Sequence, residues 1–197
     1  MIPDLSEKYW NNLYLNNQSI WDVGAISTPL KQYFDQLTNK NTSILIPGAG
    51  NAYEAEYLIK NGFVNVYVCD FAEEPLKNLE ARGVKIKKQN LLQIDFFEIK
   101  NLRFDIIIEQ TFFCALQPSL RQKYFEKINQ LLKPCGKLVG VLFNCEFNTD
   151  TAPFGGTAEE YKQYFRDLLK VNVFEFCYNS IKPREGRELF INLEKEK

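Results

Sequence analysis

Apolar residues along this chain fall into two alternating patterns: short continuous runs, and longer segments in which they recur every three or four positions. The first pattern is typical of buried strands and the second of amphipathic helices. Predicted strands cover 43–47, 64–70, 84–88, 104–109, 137–143, 171–178 and 189–193, and predicted helices cover 52–60, 75–82, 120–132 and 157–170. Strands and helices therefore alternate after an N-terminal segment, 1–40.

This alternation predicts an α/β fold, because right-handed crossovers between parallel strands place helices on both faces of a sheet. The last two predicted strands are joined by KPREGR, which is too short for a helical crossover, so they should pair antiparallel. We expect one Rossmann-like domain over 1–197, with a mostly parallel seven-stranded sheet that contains one antiparallel strand. Ligands on such sheets bind at the carboxyl ends of the strands.

A glycine-rich turn, IPGAGN, joins the first predicted strand to the first predicted helix. Gly48 and Gly50 allow the backbone to pass close beneath a ligand. The second predicted strand ends in Asp70, where a carboxylate can accept hydrogen bonds from both ribose hydroxyls of an adenosine. Together these features predict a nucleoside site, although a tight turn followed by a surface aspartate has the same pattern.

The residues after the turn indicate which adenosine cofactor fits. A dinucleotide site needs a third small residue where its pyrophosphate meets the helix, and Tyr53 stands there, followed by Glu54 and Glu56. These carboxylates would repel a pyrophosphate, but they tolerate a cofactor that carries a sulfonium and an ammonium group. We therefore predict S-adenosylmethionine rather than NAD.

Composition excludes several kinds of chemistry. The 24 basic and 25 acidic residues give a net charge of −1, so no field attracts a nucleic acid or a membrane surface. The absence of histidine excludes Ser-His-Asp and Cys-His catalysis and an imidazole base. The cysteines form no CxxC pair, so we expect neither a metal site nor a disulfide framework; they are Cys69, Cys114, Cys135, Cys145 and Cys177.

The first ten residues, MIPDLSEKYW, lack the basic start and the apolar run of a signal peptide. No apolar stretch reaches the roughly 18 residues that a membrane span needs. We expect a cytoplasmic protein, either a monomer or a weak dimer, without a membrane partner.

Four segments carry a wider pattern: ILIPGAGNAYEA, VNVYVCD, FDIIIEQTFFCALQP and LLKPCGKL. In this order they resemble the successive motifs of class I methyltransferases that use S-adenosylmethionine. More narrowly, EKYW with WDVGAISTPL before the first strand, and EQTFFCALQPSLR after the fourth, resemble the thiopurine, thiol and halide methyltransferase family. The resemblance runs from about Glu7 to the C-terminus, and it implies that 1–40 forms a lid over the cofactor.

The resemblance implies a role for several cofactor-binding residues. Gly48 and Gly50 would face the methionine part of the cofactor, and Asp70 would bind the ribose. Trp10 and Trp21 would contact the cofactor from the lid, where an indole face attracts a sulfonium. Both tryptophans can equally serve to hold the N-terminal segment against the domain.

Residues after the third and fourth predicted strands complete the implied site. By position, Asn90 and its neighbour Leu91 would hold the adenine edge, with Asp95 as the competing candidate. Related sequences often have aspartate where Asn90 stands, but an amide oxygen can also accept a hydrogen bond from the adenine amino group. Glu109 and Gln110 would line the methyl-transfer site, and Gln110 would touch the cofactor.

An apolar acceptor pocket is expected from aromatic residues near the same strand ends. Phe113 and Phe154 are the substrate-binding candidates, and Arg121 is a third because it can face an anionic acceptor. A core position for the phenylalanines and a solvated position for Arg121 are the alternatives. Other aromatic candidates are Phe112, Phe143 and Phe147.

The sequence thus predicts a methyltransferase that transfers a methyl group from S-adenosylmethionine to a small soft nucleophile, with a thiol favoured. Gln110, Glu109 and Arg121 are the catalytic candidates, and neither a metal nor a covalent intermediate is required. One rival is a small-molecule O- or N-methyltransferase of the same fold, which needs a base such as Glu109, Glu146, Asp22 or a tyrosine. Another rival is a cofactor-binding module without catalysis.

Overall fold

The computed structural model describes residues 4–197, so the first three residues of the predicted lid lie outside the described residues. The chain divides after Lys100 into two compact units. The single domain expected over 1–197 stays a prediction. Across the described residues the fold is α/β with a mostly parallel seven-stranded sheet, as predicted.

The first unit alternates strands and helices after two N-terminal helices. Its elements are α1 Glu7–Leu15, α2 Thr28–Asp35, β1 Ile44–Pro47, α3 Tyr53–Lys60, β2 Val66–Cys69, α4 Glu73–Ala81 and β3 Leu91–Leu92. The strands lie in the order β3-β2-β1 and pair in parallel, with Ile44 opposite Val66 and Val68 opposite Leu91. Every residue of β1 is buried, which explains its continuous apolar sequence ILIP.

The second unit contains the remaining long strands. Its elements are β4 Phe104–Gln110, α5 Arg121–Leu131, β5 Leu132–Phe143, α6 Ala158–Phe165, β6 Lys170–Phe176 and β7 Glu188–Glu194. The strands lie in the order β4-β5-β7-β6, with β4 and β5 parallel and β7 antiparallel to both of its neighbours. The prediction of one reversed strand at the end of the chain is therefore confirmed.

Aromatic side chains form much of the core of the second unit. On α5, Tyr124, Phe125, Ile128 and Leu131 are buried at helical spacing. Tyr124 and Phe125 contact each other edge to face with ring centroids 5.1 Å apart, and Phe125 also packs against Phe165 of α6. This cluster fixes the start of α5 beneath the segment that follows β4.

The third strand is not where the sequence predicted it. Residues 84–88 form no strand, and β3 lies at Leu91–Leu92, after a 3₁₀ turn over Lys88–Asn90. The run VKIKK has β-branched residues, but its lysines leave only two apolar side chains to bury. The shift matters for the site, because Asn90 now precedes β3 instead of following it.

Residues 134–136, between the predicted helix 120–132 and the predicted strand 137–143, belong to a strand in the structure. β5 begins at Leu132, directly after α5, and its pairing with β4 jumps from Leu132 to Lys137, so the intervening residues form a bulge inside the strand. Cys135 adopts a left-handed φ of 61° there. A Cβ on Gly136 would lie 2.9 Å from the carbonyl oxygen of Phe104, so the bulge depends on a glycine at this position.

No helix within residues 4–197 combines the length and the apolar character needed to cross a membrane.

Candidate cofactor and acceptor sites

The turn between β1 and α3 has an unusual backbone. Gly48, Gly50 and Ala52 have φ angles of 54°, 51° and 53°, in the left-handed region that favours glycine. A Cβ added to Gly50 would lie 2.6 Å from the hydroxyl oxygen of Tyr14, which covers the turn from α1. Glycine is therefore favoured at position 50, both by its φ angle and by the close approach of Tyr14.

Asp70 follows β2 and holds this turn in place. Its Oδ2 accepts a hydrogen bond from the backbone amide of Gly50, and its Oδ1 accepts one from the amide of Ala72, both at 2.9 Å. The residue is 8% exposed, and burial raises the pKa of its carboxyl from 3.8 to about 6. A carboxylate offers about four acceptor positions, so Asp70 has acceptor capacity left for a ribose hydroxyl.

Three aromatic residues of the N-terminal segment form a continuous group beside the turn. Trp21 contacts Trp10 and Tyr14 edge to face, with ring centroids 5.4 and 5.7 Å apart. The indole N–H of Trp21 donates a hydrogen bond to the Tyr14 hydroxyl at 3.3 Å. Sequence reasoning singled out Trp10 and Trp21 but missed Tyr14. The available signal was its spacing, because Tyr14 stands four residues after Trp10, on the same face of α1.

Polar contacts fasten the N-terminal segment to the turn and to α4. Oδ2 of Asp22 accepts hydrogen bonds from the side-chain amide of Asn51 and, at 3.4 Å, from the hydroxyl of Tyr53. The side-chain oxygen of Asn11 accepts a hydrogen bond from the backbone amide of Glu74 at 3.0 Å, in the first turn of α4. The segment thus contacts the glycine turn and α4, and its role as a lid over the cofactor stays a prediction.

Asn90 and Asp95, the two candidates for the adenine edge, lie on opposite sides of β3. Asn90 is buried, and its side-chain amide donates a hydrogen bond to the carbonyl of Val66, at the amino end of β2. Asp95 follows β3 and is exposed, and the carbonyl of its neighbour Ile94 lies 3.4 Å from the thiol of Cys69, the last residue of β2.

Because ligands bind at the carboxyl ends of parallel strands, this geometry supports Asp95 and not Asn90. The position of Asn90 and Leu91 relative to β3 differs from the expected one because the third strand lies later in the chain, and their role at the adenine edge stays a prediction. Leu91 is the first residue of β3 and pairs with Val68.

In the second unit, Glu109 is turned into the core. It is 1% exposed, and its Oε1 accepts hydrogen bonds from the backbone amides of Phe112 and Phe113, both at 2.9 Å. Its Oε2 accepts one from the hydroxyl of Tyr124 at 2.6 Å. Burial raises the pKa of Glu109 to about 7, against the effect of these hydrogen bonds. The carboxylate is thus fully engaged within the fold, which does not fit the expectation that it lines the methyl-transfer site.

Arg121 also differs from its expected position. It is 2% exposed, and its guanidinium donates hydrogen bonds to Glu160 and to the carbonyl of Gly155. It also lies over the ring of Phe113, 5.1 Å from the centroid. This arginine therefore fastens α5 to α6 and to the loop after β5, which leaves it badly placed to face an acceptor.

The two phenylalanine candidates, Phe113 and Phe154, differ in their burial. Phe113 is 1% exposed and packs against Tyr124 and Tyr161, so it is a core residue. Phe154 is half-buried, and its backbone amide donates a hydrogen bond to the carbonyl of Cys114 at 2.7 Å. Of the two, Phe154 keeps the exposure that an acceptor contact requires.

Gln110 ends β4 and is half-buried, opposite Val141 of β5. The residue after it, Thr111, has a φ of 57°. A left-handed φ is uncommon for any residue other than glycine and is a clear outlier for a β-branched one. The chain therefore turns sharply at the carboxyl end of β4.

Within residues 4–197, no group of three or more cysteine, aspartate or glutamate side chains is arranged to hold a metal ion. The expectation that no metal is needed stays a prediction.

Comparison with known proteins gives a consistent assignment. The family model for thiopurine S-methyltransferase (TPMT) matches residues 5–195. Probable thiol methyltransferase 2 of Arabidopsis thaliana is 24% identical over 193 residues, which cover 95% of this chain and 85% of that protein. Thiopurine S-methyltransferase of Vibrio campbellii is 24% identical over 178 residues, which cover 81% of each.

Among solved structures, the 1,6-didemethyltoxoflavin-N1-methyltransferase of Burkholderia thailandensis has a similar fold. Its crystal structure contains S-adenosylhomocysteine, and it matches 98% of this chain and 88% of its own with a TM-score of 0.76 and 17% identity. The resemblance noted in the sequence is confirmed. Because the family model spans nearly all of its length, the chain belongs to the thiopurine S-methyltransferase family of S-adenosylmethionine-dependent methyltransferases.

Proposed function

We propose that this protein transfers a methyl group from S-adenosylmethionine to a small soft nucleophile, with a thiol as the favoured acceptor. The observation that carries the proposal is the pairing of the Gly50 amide with the buried Asp70 carboxylate, beneath the Tyr14 hydroxyl. This arrangement combines a close backbone approach with an acid at the end of the next strand, which an adenosine ligand requires. Relatives described as thiol and thiopurine methyltransferases support the acceptor class.

Several residues of the first unit can bind the cofactor. Asp70 accepts the ribose hydroxyls with its remaining lone pairs, and Asp95 accepts the adenine amino group. Gly48 and Gly50 leave room for the methionine part above the turn. Because Asp70 is desolvated, a hydrogen bond to it is worth more than one to an exposed carboxylate.

The aromatic group of Trp10, Tyr14 and Trp21 suits a cationic ligand. The faces of electron-rich rings attract a sulfonium through the ring quadrupole, and the same rings exclude water. When bound, S-adenosylmethionine supplies an electrophilic methyl group. The task of the protein is then to hold the acceptor in line with that methyl group in a site closed to water.

Two of the candidate bases, Asp22 and Glu109, already accept hydrogen bonds from groups within the fold. This supports an acceptor that is ionised before it binds and needs no base on the protein. Oδ1 of Asp22 accepts a hydrogen bond from the Gly24 amide, and Oδ2 binds Asn51 and Tyr53. Glu109 is occupied by two backbone amides and a tyrosine hydroxyl. A thiol ionises far more readily than an alcohol and attacks as the thiolate, so it suits such a site.

The experiment is an acceptor screen with hydrogen sulfide, a small alkyl thiol, a thiopurine and iodide, with release of S-adenosylhomocysteine as the readout. A catechol and a primary amine serve as the oxygen and nitrogen controls, and the Asp70→Ala variant controls for background. We expect turnover with at least one sulfur acceptor. Turnover only with the catechol or the amine would contradict the thiol proposal. Tight cofactor binding without turnover of any acceptor would indicate a binding module.

A further inference from the structure

The turn that follows β4 is held by an arrangement that the methyl-transfer reaction does not itself explain. Thr111 is β-branched and adopts a left-handed φ of 57°. Strained backbone of this kind persists only where the surroundings determine it, and it is frequent at functional sites. Here the surroundings are the Glu109 carboxylate, which accepts hydrogen bonds from the two amides that follow the strained residue.

The Glu109 carboxylate is itself held by a buried tyrosine. Tyr124 is completely buried on α5, and its hydroxyl donates to Oε2 of Glu109 at 2.6 Å. The ring of Tyr124 also packs against those of Phe112 and Phe113. Glu109 thus binds the backbone of residues 112–113, and Tyr124 packs against their side chains. A shift of either Glu109 or Tyr124 would release the backbone at Thr111.

Residues 111–113 lie at the end of the sheet where a ligand is expected. Parallel sheets bind ligands at the carboxyl ends of their strands, and Thr111 is the first residue after β4. The loop after β5 is tied to the same turn, because the Phe154 amide donates to the Cys114 carbonyl at 2.7 Å. The side chains of Phe112 and Phe154 are both half-buried, so they can form part of a surface for the acceptor.

From this geometry we propose that Glu109 is a positioning residue that, with Tyr124, fixes the strained turn at Thr111 and so shapes the acceptor wall formed by Phe112 and Phe154. The inference rests on the proposed function, since the wall has a purpose only if an acceptor binds there. Glu109 takes no proton from the acceptor, because both of its oxygens are directed at groups within the fold.

The test compares two substitutions at one position. In Glu109→Gln the side-chain oxygen can still accept from the amides of Phe112 and Phe113, so we expect kcat/KM for the acceptor to stay within about fivefold of the wild-type value. In Glu109→Ala that oxygen is lost, and we expect a fall of at least thirtyfold. The Kd for S-adenosylhomocysteine should stay within about twofold in both variants. A general base contributes about 10²–10⁴-fold, so equal losses in the two variants would overturn the proposal.

Tyr124→Phe provides a second variant in case Glu109→Ala does not fold. Its matched control is Tyr161→Phe, since Tyr161 is an equally buried tyrosine whose hydroxyl donates to the Phe143 carbonyl instead. We expect Tyr124→Phe to lower kcat/KM for the acceptor several-fold and Tyr161→Phe to leave it unchanged. Equal effects of the two substitutions would show a general loss of packing and would overturn the proposal.

A readout without turnover separates this inference from the proposed function. Hydrogen exchange of the Phe112 and Phe113 amides, followed by NMR, should be slow in the wild-type protein and in Glu109→Gln. It should accelerate at least tenfold in Glu109→Ala. This result would support the positioning role even if the screened thiols were not methylated, whereas unchanged exchange in Glu109→Ala would overturn it.

Discussion

The carboxylate of Asp70 accepts a hydrogen bond from the backbone amide of Gly50 at 2.9 Å, across a separation of 20 residues. This contact joins the end of β2 to the turn after β1, so the residue that is expected to bind the ribose also holds the turn that faces the methionine part. Two roles in one side chain make Asp70 the most sensitive position of the cofactor site.

Replacing Asp70 by alanine should weaken binding of S-adenosylhomocysteine by about 1.5–3 kcal/mol, the range for hydrogen bonds to a charged group. Isothermal titration calorimetry measures the change. Asp105→Ala is the control, because Asp105 forms a partly exposed ion pair with Lys133 in the second unit. An unchanged affinity in Asp70→Ala would contradict the assignment.

Gly50→Ala should destabilise the protein and abolish cofactor binding. The left-handed φ of 51° costs an alanine about 1–2 kcal/mol. In addition, its Cβ would lie 2.6 Å from the Tyr14 hydroxyl. Gly62→Ala is a matched control, because Gly62 has a φ of 86° but no atom within 4 Å of the added Cβ.

Chemical denaturation of the two glycine variants should therefore show a larger loss in Gly50→Ala than in Gly62→Ala. Tyr14→Phe should recover part of the difference, since it removes the oxygen that the added Cβ meets. Equal losses in the two variants would show that the close approach of Tyr14 costs nothing.

The free energy of unfolding should fall as the pH rises from about 4 to 7. Burial raises the pKa of Asp70 from 3.8 to about 6 and that of Glu109 from 4.5 to about 7. A group whose pKa is higher in the folded state contributes stability that is present below its unfolded pKa and lost as the pH rises through its folded pKa. The loss is on the order of 3 kcal/mol for each of these buried groups.

Urea denaturation at a series of pH values measures this dependence. Glu109→Gln should remove the part of the slope nearest pH 7, whereas Asp105→Asn, at an exposed ion pair, should not change the slope. A free energy of unfolding that rises from about pH 4 to 7 would contradict the prediction.

The N-terminal segment should open and close over the cofactor site. None of the residues of α1, Glu7–Leu15, is fully buried, so its release exposes no fully buried side chain of its own. Limited proteolysis should cut between residues 11 and 19 in the free protein, and S-adenosylhomocysteine should slow the cutting. Removal of residues 1–24 should leave a folded domain without turnover.

Asp22→Ala should accelerate this proteolysis, because it removes the acceptor of the hydrogen bonds from Asn51 and Tyr53. Glu98→Ala, which breaks an exposed pair with Lys100 outside the N-terminal segment, is the control. Equal rates of cutting with and without S-adenosylhomocysteine would count against a lid.

The rate at subsaturating thiol should rise with pH and level off at the pKa of the thiol itself. The chain contains no histidine, and Glu109 is held by Tyr124 and two amides, so we expect the acceptor to bind as a pre-ionised anion. A more acidic thiol should move the inflection down by the same amount, and iodide should give none. An inflection that stays fixed while the thiol is varied would indicate a base on the enzyme.

Much of the fold could be predicted because its strands are marked by uninterrupted apolar runs. ILIP and FDIIIE coincide with β1 and β4 to within one residue. β3 was misplaced because it has only two residues, Leu91 and Leu92, whereas the preceding VKIKK has more β-branched character and forms no strand. A pairing partner, not the local sequence, decides where so short a strand lies.

The sequence predicts those features of the candidate site that depend on backbone conformation. It does not predict the direction in which a side chain lies. The place of Asp70 beside the glycine turn could be predicted from spacing, and the structure shows the two in contact, while their role in cofactor binding stays a prediction. Phe113 and Arg121 were expected to face the acceptor, but a sequence does not show whether an aromatic ring or a guanidinium is directed inward. Tyr14 was missed although its spacing from Trp10 places both residues on one face of α1, because its approach to Gly50 is a tertiary contact that local spacing does not show.

The tie between Asp70 and the glycine turn has a thermodynamic consequence. The turn has its final shape before a ligand arrives, so binding does not have to order it, and the associated loss of conformational entropy falls on the N-terminal segment alone. Calorimetric signatures of cofactor binding should therefore report the folding of that segment over the ligand. Shortening or stiffening the N-terminal segment should change the enthalpy and entropy of binding. The turn beneath the segment should keep its conformation.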